Sequence, residues 1–161
     1  MNIKNNKYFK VALPYLISIS IAILIYGVMV YFFHPVFISG HSMEPTLQDG
    51  KLVSTSTNFS PQELQRGDII IFKKNHIKYV KRIIALPGET ILIKDGNVFI
   101  NGNPLDDFTF DSIEDGGIVE DSSLTLNSDE YFCLGDNRNA SEDCRNLGPV
   151  TFDEIKNKVN Y

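Results

Sequence analysis

Residues 89–105 read ETILIKDGNVFINGNPL. Apolar and polar residues alternate on both sides of Asp95-Gly96, and Asn101-Gly102 closes the second run. Both dipeptides favour the left-handed backbone of a two-residue hairpin turn, so the stretch predicts strand, turn, strand, turn. The same chemistry extends outward. GDIIIF (67–72) and IKYVKRIIAL (77–86) are rich in β-branched and aromatic residues, and SSLTLNSDEYFCLGDNR (122–138) adds one or two strands. Helical signals here are short: Ser60-Pro61-x-Glu63 and Thr151-x-x-Glu154 have the form of capping boxes that open one or two turns. The expectation is a mainly β, antiparallel domain over 34–161. It is interrupted by an acidic excursion at about 104–127, where 106–121 holds seven acids and no Lys or Arg. That spacing does not match a calcium loop, and a solvated loop is the better reading.

The N-terminus differs in kind. Residues 1–10 carry Lys4, Lys7 and Lys10 and no acid, and residues 11–33, VALPYLISISIAILIYGVMVYFF, run 23 residues without a charge. Roughly 20 residues of helix cross a hydrocarbon core, so this run is long enough for a transmembrane anchor. Pro14 falls near its start, where a missing amide costs least. A cleaved signal peptide would have a shorter apolar core and a small-residue exit, and YFFHPVF (31–37) offers no such exit. Three lysines precede the span and none follows until Lys51. That asymmetry predicts a cytoplasmic N-terminus (1–10) and an extracytoplasmic remainder. Ser42 lies nine residues past the span, which places it near the outer membrane surface. The net charge of −5 argues against a general nucleic-acid partner. Cys133 and Cys144 would face an oxidising side, but their spacing does not require a bridge, and two free thiols are expected.

Three blocks could carry chemistry. FISGHSMEPTL (37–47) sets Ser42 among apolar residues, with Pro45 stiffening the turn after it. A serine needs a base to become a nucleophile. None of His34, His41 or His76 has a recognisable setting for that role, although a Ser-His-Asp triad is not excluded by sequence separation. Lysine is the other base available to serine, provided that it is desolvated and neutral. Lys81 shares a strand face with Tyr79 and Ile83 and has no acid beside it before Glu89. Periodicity alone reads it more readily as a surface lysine on an edge strand. GDNRNASEDCRNLG (135–148), by itself, fits a tight polar turn, a phosphate loop without the P-loop ending, or part of a site. Arg66-Gly67-Asp68 spells an adhesion tripeptide but leads straight into a strand and reads as a turn. Asn139-Ala140-Ser141 spells a glycosylation acceptor. A sugar there would obstruct the proposed site, which favours a bacterial cell.

Taken together and in order, the N-terminal span, SGHSMEPTL, RGDIIIF, YVKRIIALPGE and GDNRNASEDCR resemble the type I signal peptidases, in particular the short Gram-positive-type members. The resemblance covers most of the chain outside 106–127. It implies a signal-peptidase-like β domain and a membrane-bound serine endopeptidase with no cofactor and no metal. By position, Ser42 matches the nucleophile and Lys81 the general base. Ser141 matches the serine that hydrogen-bonds and orients the lysine, and Asp143 and Arg145 match a site-shaping pair. The implied substrates are pre-proteins with small residues at −1 and −3, bound as an extended strand near Phe37, Ile38 and Gly40 on one side and Tyr79 and Val80 on the other. Membrane lipid and proximity to the secretion translocon are the other implied partners. Three departures stand out. Some members have an oxyanion-holding serine where this chain has Gly40, so a second oxyanion donor is not assigned. Cys144 replaces a usual serine, and the chain stops at Tyr161 where many relatives add another strand. The rival readings are a self-cleaving repressor, which would need a DNA-binding domain in place of the span, and a signal-peptidase-like factor in pilus assembly, either non-catalytic or narrow in specificity.

Overall fold

The computed structural model describes residues 7–105 and 123–161. The chain divides into two units, Met1–Pro35 and Val36–Tyr161. Among the described residues the first unit holds one helix, α1 (Lys7–Phe33), whose apolar side chains from Val11 to Phe33 are exposed. By length and composition, Val11–Phe33 can cross a membrane. Pro14 is not at the helix start as expected. The helix begins at the lysine-bearing segment, so Pro14 lies inside it. The hydroxyls that an apolar surrounding would leave unpaired bond back along the helix, Ser18 Oγ to Pro14 O (2.9 Å) and Ser20 Oγ to Leu16 O (2.8 Å).

The second unit is mainly β, and every strand pairing among its described residues is antiparallel. Its strands are β1 (Val36–Phe37), β2 (Leu52–Val53), β3 (Thr55–Ser56), β4 (Ile69–Lys74), β5 (Ile77–Ala85), β6 (Thr90–Lys94), β7 (Asn97–Ile100), β8 (Asn103–Pro104), β9 (Leu124–Thr125), β10 (Glu130–Leu134), β11 (Val150–Thr151) and β12 (Ile155–Val159). They form a six-stranded sheet in the order β11-β10-β5-β4-β12-β3, a four-stranded sheet in the order β8-β7-β6-β9, and the isolated pair β1-β2. The hairpin signals hold. Asp95 (φ 49°) and Gly96 (73°) join β6 to β7, and Asn101 (52°) and Gly102 (81°) join β7 to β8. A third left-handed pair, Asn75 (50°) and His76 (67°), joins β4 to β5 and was not legible from its residues. Both capping boxes exist, but each opens a single 3-10 turn, at Pro61–Glu63 and Phe152–Glu154. The second turn leads into β12, a strand that the sequence pattern did not announce. Of the acidic excursion, 106–122 lies outside the described residues.

The IIIF run explains how this sheet positions the site. With period-2 geometry, Ile70 and Phe72 enter one core with Ile83, Phe132 and Leu134, while Ile69 and Ile71 enter a second core with Ile38, Met43, Leu47 and Val53. Both faces of β4 are buried, so the run is continuous rather than alternating. The second core lies beneath the turn that carries Ser42. Met43 and Leu47 are fully enclosed, at 1% and 0% exposure, and each such side chain stabilises by about 1.5–3 kcal/mol.

Candidate active site

Ser42 stands in a tight turn between β1 and β2. The turn is anchored below by Met43 and Leu47 and closed by Leu47 N–H donating to Met43 O (2.8 Å). Glu44-Pro45 in this turn is a cis peptide. A second anchor comes from far along the chain. The Asn137 N–H donates to Ser42 O (3.0 Å), and Asn137 Nδ2 donates to His41 O (3.2 Å). Gly135 permits this approach. A Cβ there would lie 2.2 Å from Ser141 Oγ and 2.6 Å from the Ser42 carbonyl oxygen.

Lys81, on β5, reaches across to this turn, and its Nζ donates to Ser42 Oγ at 2.6 Å. The residue as a whole is nearly sealed, at 3% exposure. Burial brings its pKa below the ordinary 10.5, because a charged amine loses hydration there. Asp143 and then Glu142 pull the other way without cancelling that effect. The expectation that no acid lies near Lys81 therefore holds along the chain and fails in space. Asp143 is itself committed. Arg145 donates to both its oxygens, Nε to Oδ1 (2.8 Å) and an Nη to Oδ2 (2.9 Å), and the Gly135 N–H adds a bond to Oδ2 (3.0 Å).

Ser141 departs from its expected contact. Its hydroxyl donates to Asp143 Oδ2 (2.7 Å), and among the described residues it makes no hydrogen bond with Lys81. It fills the space over Gly135 beside the Ser42 carbonyl. Of the histidines, His41 borders the cleft beside Ser42, but its ring turns to Glu44. His41 is exposed and pairs with Glu44 (2.9 Å), a bond that raises its pKa. His76 is exposed at the β4–β5 turn, and His34 follows the end of α1. Cys133 and Cys144 are buried and unbridged, and the Cys133 N–H donates to Cys144 Sγ (3.1 Å). Burial, then the contact with Cys144, pushes the Cys133 thiol well up.

A cleft of about 240 Å3 opens at Ser42 and Lys81. Ile38, Gly40, Tyr79 and Val80 line it, together with Ser39, His41, Met43, Lys78 and Glu142. Phe37 does not line it; it pairs with Leu52 in the β1-β2 ladder and is exposed. Tyr79 stacks on Phe72 with centroids 5.5 Å apart and donates to Glu142 Oε2 (3.2 Å). One wall of the cleft is a sheet edge. The stretch Ile77–Lys81 pairs with β4 on one side, while on the other β10 reaches only Arg82, Ile83 and Ala85. Gly40 (φ +96°) has open space around it, but its backbone is left-handed, so a serine there would bring strain with its hydroxyl. The Gly40 N–H donates to Asp49 Oδ1 (2.7 Å).

The family model for signal peptidase, peptidase S26, matches residues 12–161. The chain belongs to that family. Among its relatives, signal peptidase I P of Bacillus subtilis subsp. natto is 37% identical over 156 residues, covering 90% of this chain and 82% of that protein. Signal peptidase IB of Staphylococcus aureus (strain COL) is 30% identical over 171 aligned positions, covering 94% of this chain and 89% of that protein. The crystal structure of a signal peptidase I from Enterococcus faecalis V583 superposes with a TM-score of 0.48 and 32% identity, covering 58% of this chain and 93% of that one. Membership makes the chain a serine peptidase of the type I, Gram-positive kind.

One further constituent had no signature in the sequence. Arg82, next to Lys81, holds Asp136 through Nε to Oδ1 (2.8 Å) and an Nη to Oδ2 (2.6 Å), and donates to Gly67 O (2.8 Å). This buried pair ties β5 to the loop that carries Asn137.

Proposed function

We propose that this chain removes N-terminal signal peptides from exported pre-proteins at the outer face of the cytoplasmic membrane, with Ser42 as nucleophile and Lys81 as general base. The observation that carries the reading is the 2.6 Å contact between Lys81 Nζ and Ser42 Oγ in a site where burial disfavours the ammonium. With Nζ neutral, the contact runs in reverse: Nζ accepts the serine proton as Oγ attacks the scissile carbonyl. The Ser42 N–H supports the oxyanion. As the C–N bond breaks, the Lys81 ammonium returns its proton to the leaving amine. The same lysine then deprotonates the water that hydrolyses the acyl ester.

The half-open edge of β5 suits an extended peptide, which would add as a strand between Tyr79–Lys81 and Ile38–Gly40. Small side chains at −1 and −3 would face the apolar wall made by Ile38, Met43 and Val80. Ser141, Asp143 and Arg145 form the support behind Lys81 rather than touching substrate. Positive charge before Val11–Phe33 and its absence after favour a cytoplasmic N-terminus. Protease added outside wall-stripped cells should then digest the region beyond His34, and full protection would refute the topology. The function is tested by incubating purified full-length protein with a pre-protein carrying an Ala-x-Ala site. Cleavage after the second alanine is expected, and an intact substrate would overturn the reading.

A further inference from the structure

We infer that Asn137 is a positioning residue that aims the Ser42 N–H at the oxyanion, an assignment that rests on the Ser-Lys reading above. The starting point is Gly40: a glycine offers no hydroxyl to the oxyanion, so the Ser42 amide carries more of the task. Among the described residues no backbone or side-chain acceptor takes that N–H. A donor that must act without reorganising needs to be fixed in advance. The N–H belongs to the His41–Ser42 peptide, whose other polar end is the His41 carbonyl. A peptide is planar, so whatever holds its C=O also sets the direction of its N–H.

The His41 carbonyl is held by two donors, Glu44 N–H (3.2 Å) from within the turn and Asn137 Nδ2 (3.2 Å) from the distant loop. The Asn137 backbone N–H holds the next carbonyl, Ser42 O (3.0 Å). One residue thus grips two consecutive peptides around the nucleophile, 96 residues away in the chain for the side-chain bond. Donation to a carbonyl also polarises its amide and makes the N–H a stronger donor. The grip is itself anchored, since Asp136 is held by buried Arg82 and a Cβ on Gly135 would push the loop away from Ser42. Only the side-chain bond to His41 O depends on residue identity; the backbone bond survives substitution.

The test uses full-length protein with Asn137→Ala and Asn137→Leu, the second nearly isosteric and unable to donate. Five quantities are read: melting temperature, kcat and KM on a pre-protein, the pH profile, and affinity for a peptide aldehyde whose serine adduct carries the oxyanion. Both variants should fold. kcat should fall by about tenfold to a hundredfold, a share of the 10²–10³ that deleting an oxyanion donor outright costs. KM should hardly move, the pH limb set by Lys81 should stay in place, and aldehyde affinity should fall in step with kcat/KM. Unchanged kcat would overturn the inference, as would a rise in KM alone or a shifted pH limb. Unfolding of both variants would make Asn137 a scaffold residue and would also overturn it. A wild-type protein that cleaves nothing would instead refute the Ser-Lys reading, so the two failures are distinguishable.

Discussion

Lys81 and Arg82 are neighbours on β5, both basic and both sealed from water, at 3% and 6% exposure, yet the two faces of the strand treat them oppositely. On one face Arg82 is given a carboxylate, a carbonyl and a bidentate geometry. On the other Lys81 is given a hydroxyl, while the nearest buried carboxylate, Asp143, is occupied by Arg145. A buried charge that is paired stays charged and holds structure. A buried amine that is left without a counter-ion is pushed towards neutrality and becomes a base. On the Ser-Lys reading, the difference between scaffold and chemistry lies in partners rather than in burial.

The contrast breaks most severely at the reactive face. Ser42→Ala should lower kcat/KM by at least about 10⁴-fold while melting as the wild type does, and Lys81→Arg should be as inactive, since guanidinium cannot give up its proton in the working range. An active arginine variant would return attention to His41. The next largest effect belongs to the other face. Asp136→Ala strands the Arg82 charge and should cost about 3–5 kcal/mol of stability in denaturant titration. A stability within error of wild type would mean that Arg82 is not held by this pair. Ser141→Ala removes one charge-assisted bond to Asp143 and should reduce kcat/KM by about tenfold without abolishing it. Complete loss would make Ser141 part of the chemistry. The smallest effect is electrostatic. Glu142 is an exposed acid that raises the Lys81 pKa, so Glu142→Gln should move the rising limb of the pH profile to lower pH. A limb that moves up would contradict the sign.

Local elements were legible because their causes are local. Asp95-Gly96 and Asn101-Gly102 announce their turns by backbone preference, and the charge-free run 11–33 announces a helix long enough to span a membrane. β12 was not, because Lys156, Asn157 and Lys158 interrupt its apolar pattern; it holds its place through pairing with β4 and β3. The pairing of Ser42 with Lys81 came from ordered motifs rather than from periodicity, which sorts residues by face but not by partner. From Lys81 onward both faces of β5 are buried, so alternation could not separate a reactive cation from a structural one. The bond from Ser141 to Asp143, the Arg82–Asp136 pair and the approach over Gly135 depend on how distant loops meet, and nothing in a single chain's spacing encodes that.

The central claim is that Lys81 works as a neutral amine. Its most direct test is the dependence of kcat/KM on pH for the wild-type protein, measured from about pH 6 to about pH 10. Lowering of the Lys81 pKa below 10.5 predicts activity that rises with pH as the ammonium is lost, on a limb below the range of an ordinary lysine. A profile flat across that range, or one that falls as pH rises through it, would contradict the account.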